Sequence, residues 1–193
     1  MNIAIFASGA GSNAKKIIQH FEQHNTIHVA LVVCNKPGAG VLEVAKEENI
    51  PALLIEKERF FSGDAYLDVL KEAKVDFIVL AGFLWKVPAT LIDAYPDKIV
   101  NIHPALLPKY GGKGMYGALV HKAVIAAGEK ESGITIHYVD GHYDNGDIIQ
   151  QATCTVEAGE TEASLAQKIH ALEHEVYPAT IEKLLMEIMA NNS

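Results

Sequence analysis

Asn101 and His103 stand two positions apart at the end of an apolar run, residues 98–102. Along a strand, positions i and i+2 share a face, so the amide and the imidazole converge on one point. A carboxamide donor beside a titratable imidazole suits stabilisation of a developing oxyanion. Pro104 and Pro108 stiffen the exit from this point. A histidine at a strand end also serves purely structural ends, and that reading stands beside the catalytic one. Further on, Asp140-Gly141-His142-Tyr143-Asp144-Asn145-Gly146-Asp147 places three carboxyl groups within eight residues. One of them reaching His103 would raise the imidazole pKa and hold its orientation. The segment reads equally as a turn through Asp-Asn-Gly, and its spacing is not that of an EF-hand calcium loop.

Ser8-Gly9-Ala10-Gly11-Ser12-Asn13 lies between a predicted strand and a predicted helix. Its glycines let backbone approach a ligand, and the helix start offers unpaired N–H groups and a positive dipole end, so a phosphate is the natural guest. The string from Gly9 to Ala14 also fits the dinucleotide pattern G-x-G-x-x-A. That pattern expects an acid at the end of the second strand, where this chain has Val33-Cys34-Asn35-Lys36. A lone phosphate is therefore favoured over NAD, with Lys36 leaving NADP as a lesser option. No Gly-Lys-Ser/Thr follows, which excludes a Walker A loop. A tight turn without ligand is the plain alternative.

These groups need a frame that brings distant segments together. Strands are predicted at 2–7, 28–34, 52–55, 76–81 and 98–102, and helices at 12–23, 38–49 and 64–73. Such alternation, with nearly continuous apolar strands, implies a parallel sheet covered on both faces. The second half changes character: residues 103–117 are rich in Pro and Gly, and a helix is predicted at 116–127. Alternating strands at 133–139 and 147–156 are joined through 140–146 by a hairpin-type connection. A long amphipathic helix closes the chain over 161–189, with Thr161 a weak N-cap and Pro178 predicting a kink or break. The fold class is thus α/β: a mostly parallel, Rossmann-like twisted sheet flanked by helices, with an antiparallel strand pair in the C-terminal half. No linker interrupts the chain, so a single domain over 1–193 is expected, with a phosphate-binding half of about 1–100 and a second half of about 101–193.

Composition narrows the chemistry. With 49% hydrophobic and 21% charged residues the chain is that of a globular protein rather than a disordered one. The apolar run 77–85 is too short to span a bilayer, and the first ten residues lack the basic start of a signal peptide. A cytoplasmic protein without a membrane partner is expected. Cys34 and Cys154, in a chain with no C-x-x-C, favour two buried thiols over a zinc site or a disulfide. Net charge is −8, and the basic set is fifteen Lys and one Arg, Arg59, which argues against nucleic acid as the partner. Between Lys98 and Gly128 there is no acid, while Lys98, His103, Lys109, Lys113, His121 and Lys122 all fall there. That stretch suits an anionic ligand, or is simply a loop that carries lysines.

Four stretches together carry a resemblance: Ser8–Asn13 (SGAGSN), Ala81-Gly82-Phe83-Leu84, residues 101–110 (NIHPALLPKY) and Asp144-Asn145-Gly146, with Glu173-His174 and Tyr177-Pro178 near the end. In these the chain resembles the phosphoribosylglycinamide formyltransferase family, folate-dependent enzymes of purine synthesis, over essentially its whole length. N-I-H-P-x-L-L-P is specific to the wider formyltransferase group, and the S-G-x-G-S-N loop points to this member. The resemblance implies transfer of a formyl group from 10-formyltetrahydrofolate to the amine of glycinamide ribonucleotide. It implies that Gly11, Ser12 and Asn13 hold the substrate phosphate and Glu173 its ribose. Leu84, Trp85, Lys86 and Val87 would line the pterin pocket with Asn101, and Asp140, Gly141, His142, Tyr143 and Asp144 would close it. Asn101, His103 and Asp144 fall on the family's catalytic trio, with His103 expected as the protonated donor, and the second half of the chain becomes the folate and catalytic half. No metal is implied. The partners are the two small molecules, and the enzyme is expected as a monomer or homodimer. Formylation of methionyl-tRNA and hydrolysis of formyltetrahydrofolate ordinarily use a further domain, so they stand behind this reading. Another 10-formyltetrahydrofolate-dependent formyltransferase is the alternative, and an NADP-dependent oxidoreductase a more distant one.

The chain departs from the family pattern on the folate side. Trp85 and Gly63 stand where many members have Arg, which leaves lysines such as Lys86 to meet the glutamate tail. Residues 111–117 (GGKGMYG) are longer and richer in Gly than in compact members and are expected to form a mobile lid that includes Lys113. Limited proteolysis there should slow when both ligands are added; an unchanged cleavage rate would contradict the lid.

Overall fold

The computed structural model describes residues 1–191; residues 192 and 193 of the expected domain lie outside the described residues. The first half runs β1 (Asn2–Ala7), α1 (Ser12–Phe21), β2 (His28–Cys34), α2 (Gly40–Glu47) and β3 (Ala52–Leu54). It continues through α3 (Lys57–Ser62), α4 (Leu67–Glu72), β4 (Phe77–Leu80), α5 (Ala89–Ala94) and β5 (Ile99–His103). The second half adds α6 (Ala118–Ala126), β6 (Glu131–Tyr138), β7 (Ile148–Thr155) and α7 (Glu162–Asn191). All seven strands form one sheet in the order β3-β2-β1-β4-β5-β6-β7. β1 to β5 pair in parallel, while β6 is antiparallel to both β5 and β7. The predicted fold class is the observed one.

The apolar strands are buried because both faces are covered. Ile3, Ile5 and Ala7 of β1 point to one face, where they join Ile17 of α1, Val120 of α6 and Ile169 of α7. Ala4 and Phe6 point to the other, where they join Phe60 of α3, Leu70 of α4 and Leu91 of α5. Burying each large apolar side chain contributes about 1.5–3 kcal/mol, so the central strand is held from both sides. β7, at the edge, has no fully buried residue; its residues run between exposed and half-buried.

Several boundaries differ from the sequence reading, each for a local reason. The helix expected over 64–73 begins only at Leu67, because Ala65 and Tyr66 adopt φ of 50° and 61°. The short helices α3 and α5, six residues each, carry too few turns for a periodic pattern to register. α6 starts at Ala118, after Gly117 at φ 52°. Pro178 does not break α7, which runs unbroken through it. Packing overrides the lost backbone bond: adjacent Tyr177 is fully buried and its hydroxyl donates to the Leu80 carbonyl at 2.8 Å. Thr161 does cap this helix, its Oγ1 accepting the Ser164 N–H at 3.1 Å while Ser164 Oγ accepts the Thr161 N–H.

Candidate active site

The carboxyl ends of β1, β4 and β5 open onto one cavity of about 650 Å³. Ser8, buried beside the cavity, braces the loops around it. Its hydroxyl donates to Asn35 Oδ1 at 2.6 Å and accepts the Leu84 N–H at 2.9 Å, tying the loops after β1, β2 and β4 together. The end of β2 therefore carries an amide locked to Ser8, with no carboxylate for the ribose of a dinucleotide. Gly11 then turns the chain into α1 at φ 84°, and no side chain caps that helix. A Cβ at Gly11 would sit 2.7 Å from the Val41 Cα. Gly11→Ala should therefore cost roughly 1–3 kcal/mol through the left-handed backbone alone, read as a melting temperature several degrees lower. A variant melting like the native chain would contradict this account of the turn.

At the opposite wall, β5 presents Asn101 and His103, and the cross-strand partners of these residues are His137 and Thr135 of β6. Thr135 is fully buried and fixes the exit from β5: its Oγ1 donates to the Ala105 carbonyl at 2.7 Å and accepts the Leu107 N–H at 3.0 Å. His103 is buried, and its Nε2–H donates to the Tyr110 carbonyl at 2.7 Å. That leaves the Nδ1 edge, which faces Asp144 Oδ2 at 3.5 Å. Asp144, in a left-handed backbone conformation at φ 51°, also accepts the Gly112 N–H at 2.9 Å. The imidazole, amide and carboxylate expected to meet do share this cavity.

Electrostatics refine the expected roles. Burial pulls the His103 imidazole below its ordinary range, over the opposing pull of Asp144 and the Tyr110 carbonyl. That direction favours the neutral ring at rest, while the sequence reading expected His103 to act as a protonated donor. Burial pushes the Asp144 carboxyl up, but His137, His103 and the Gly112 amide together outweigh it, so the group stays below the ordinary carboxylate range and is ionised.

His137 was missed by the sequence reading. Its Nδ1–H donates to the Tyr138 carbonyl at 2.8 Å, and Nε2 lies 3.2 Å from the Asn101 amide nitrogen and 3.6 Å from Asp144 Oδ1. The ring thus orients Asn101, whose second N–H stays available. A signal was present: the alternation in GITIHYV puts Thr135 and His137 on one face, but the strand facing them could not be read from it.

The cavity has two arms. In one, Ser12 and Asn13 at the start of α1 meet Glu173 of α7, a buried carboxylate whose Oε2 accepts from Asn13 Nδ2 and His170 Nδ1 at 3.0 Å each. In the other, Leu84, Trp85, Lys86 and Val87 face Asp140, His142 and Tyr143. Of all the predicted site residues, Gly141 is the one that does not line the cavity. Leu84 and Tyr143 are 56% and 44% exposed, an uncovered apolar rim that fits a flat, partly apolar ligand. Phe60, Phe61 and Phe83 pack around Trp85 behind this rim. Arg59 is not available to a ligand tail: it is paired with Asp64 and Asp68 and lies over the Tyr66 ring. Lys86 brings a cation to this arm, with Nζ 5.9 Å from the Tyr143 ring centre. Among the described residues, no group of three or more His, Cys, Asp or Glu is placed to hold a metal ion, and no helix is long and apolar enough to cross a membrane.

A parallel sheet extended by antiparallel strands, with an Asn-x-His strand end facing an Asp loop, defines a class: over residues 1–181 the chain matches the family described as formyl transferase, and it belongs to that family. Among its relatives, the chloroplastic phosphoribosylglycinamide formyltransferase of Arabidopsis thaliana is 40% identical over 96% of this chain and 65% of the relative. The phosphoribosylglycinamide formyltransferase of Bacillus subtilis is 38% identical over 94% of this chain and 93% of its own length. The crystal structure of phosphoribosylglycinamide formyltransferase from Bacillus halodurans superposes with a TM-score of 0.86 at 43% identity, covering 96% of this chain and 95% of that one. The chain spans 65% and 61% of the length of the two chloroplastic relatives it matches.

Proposed function

We propose that the chain transfers the formyl group of 10-formyltetrahydrofolate to the amine of glycinamide ribonucleotide, yielding formylglycinamide ribonucleotide and tetrahydrofolate in de novo purine synthesis. The observation that carries this is the meeting of Asn101, His103 and Asp144 between an arm with an uncapped helix start and a buried carboxylate and an arm with an apolar rim. The names of the relatives agree with it. The sugar phosphate is held by the N–H groups of Gly11, Ser12 and Asn13, and Glu173 accepts from its ribose hydroxyls. The pterin lies against Leu84, Trp85 and Val87, with Lys86, Asn101 and the segment Asp140, Gly141, His142, Tyr143 and Asp144 completing that arm.

The bound folate supplies the formyl carbon. Holding the two reactants side by side contributes several kcal/mol, at most about 7–11. The attacking group is the substrate's own amine, so no Ser or Cys need be activated. Neutral His103 takes the amine proton at Nδ1 as the new C–N bond forms, ionised Asp144 beside it stabilises the imidazolium, and that proton passes to the folate nitrogen as its bond to the formyl carbon breaks. Asn101, oriented by His137, aims its free N–H at the oxygen where charge develops, a donor worth about 3–4 kcal/mol.

We read the whole chain as one domain working in the cytoplasm on small molecules, as a monomer or homodimer without nucleic acid or membrane. One sheet running through both halves supports the single domain, and the free thiols of Cys34 and Cys154 suit a reducing compartment. The test is to incubate the purified chain with both substrates and follow formylglycinamide ribonucleotide by mass spectrometry. Product is expected only with both present. No product, together with saturable binding of NADPH, would favour the oxidoreductase instead.

A further inference from the structure

His121, on α6, lines the same cavity, and the sequence reading counted it only within a basic stretch. It is 4% exposed, and among the described residues no hydrogen bond or ion pair reaches either ring nitrogen. Nδ1 is sealed from solvent without a partner, so the Nε2 edge is the one left to face the cavity. An N–H at the sealed position would be an orphaned donor, which proteins tolerate less well than an under-used lone pair. The ring proton therefore sits on Nε2. Burial, helped by the His170 charge, lowers the His121 pKa over the opposing carboxylates of Glu173 and Glu162, so the ring presents a neutral donor at pH 7.

The location decides what this donor meets. α6 packs on α7, which carries His170 and Glu173, and α1 with Ser12 and Asn13 packs on the same helix. The acceptor chemistry nearby is also incomplete: Asn13 Oδ1 is buried without a partner. We propose that His121 donates a hydrogen bond through Nε2 to an oxygen of the sugar phosphate of the ribonucleotide substrate, so that α6 forms a further wall of that arm. This inference rests on the proposed function for the identity of the ligand. His121 is a substrate-binding residue in it and takes no part in proton transfer.

The test compares His121→Phe, which keeps the volume and removes the donor, with His121→Gln, whose amide nitrogen reaches the place of Nε2. Calorimetric binding of glycinamide ribonucleotide and steady-state kinetics in both substrates are the readouts. His121→Phe should weaken the ribonucleotide Kd and raise its KM about tenfold, the loss of one hydrogen bond, with the folate KM unchanged; His121→Gln should recover most of this. Should the Phe variant not fold, His121→Gln and His121→Asn pose the same question, the longer amide binding tightly and the shorter weakly. Equal ribonucleotide affinity across the variants, or a parallel rise in both KM values, would overturn the inference while native turnover upholds the proposed function. A native chain that does not bind the ribonucleotide overturns both.

Discussion

His103→Ala is expected to lower kcat by about 100- to 10,000-fold, the usual contribution of a positioned proton carrier, with little change in the ribonucleotide KM. The split follows from geometry: Ser12, Asn13 and Glu173 lie in the other arm and keep their own contacts. His103 is also buried against the Tyr110 carbonyl, so alanine leaves that acceptor without a donor, at a stability cost of about 1–3 kcal/mol. His103→Gln separates the two effects. Its amide can still donate to Tyr110, so the variant should melt nearer the native temperature, yet it cannot carry a proton and should be comparably inactive. Activity within tenfold of native in the Gln variant would remove His103 from the chemistry.

Asp144→Asn should lower kcat by about 100-fold or more and should shift the pH profile in a direction that the structure sets. A neutral His103 is the working form, so kcat/KM should rise as pH rises through its pKa and then level off. Burial holds that pKa low, which puts the midpoint below the ordinary imidazole value of about 6.5. The Asp144 charge opposes this by pulling the pKa up. Replacing the carboxylate by an amide should therefore move the acid limb to still lower pH. Kinetics at saturating folate between pH 5 and 8 would check it, and a limb displaced upward would contradict the assigned roles.

The frame was legible in the sequence wherever local pattern decides structure. Continuous apolar runs marked the buried strands β1, β2, β4 and β5, and alternation marked β6 and β7. The glycine turn before α1 was legible because glycines clustered between a strand and a helix mark a tight turn, while the close approach of Val41 to Gly11 was not. Asn101 and His103 were legible through their strand spacing, while the role of Asp144 came from family resemblance. What sequence left hidden depends on partners far along the chain. The role of His137 follows from the β5–β6 register, which sets it across from Asn101. The neutral state of His103 follows from burial, and the loss of Arg59 as a ligand contact follows from Asp64 and Asp68 closing on it. Pro178 shows tertiary packing overriding a local rule, since Tyr177 anchors the helix at that point.

The decisive experiment is a crystal structure with glycinamide ribonucleotide and an unreactive 10-formyl folate analogue bound together. The phosphate is expected on the N–H groups of residues 11–13, the pterin against Leu84 and Val87, and the amine and formyl carbon in contact between Asn101, His103 and Asp144. Ligands seated in separate places, or a formyl group more than a hydrogen-bond length from both Asn101 and His103, would contradict it.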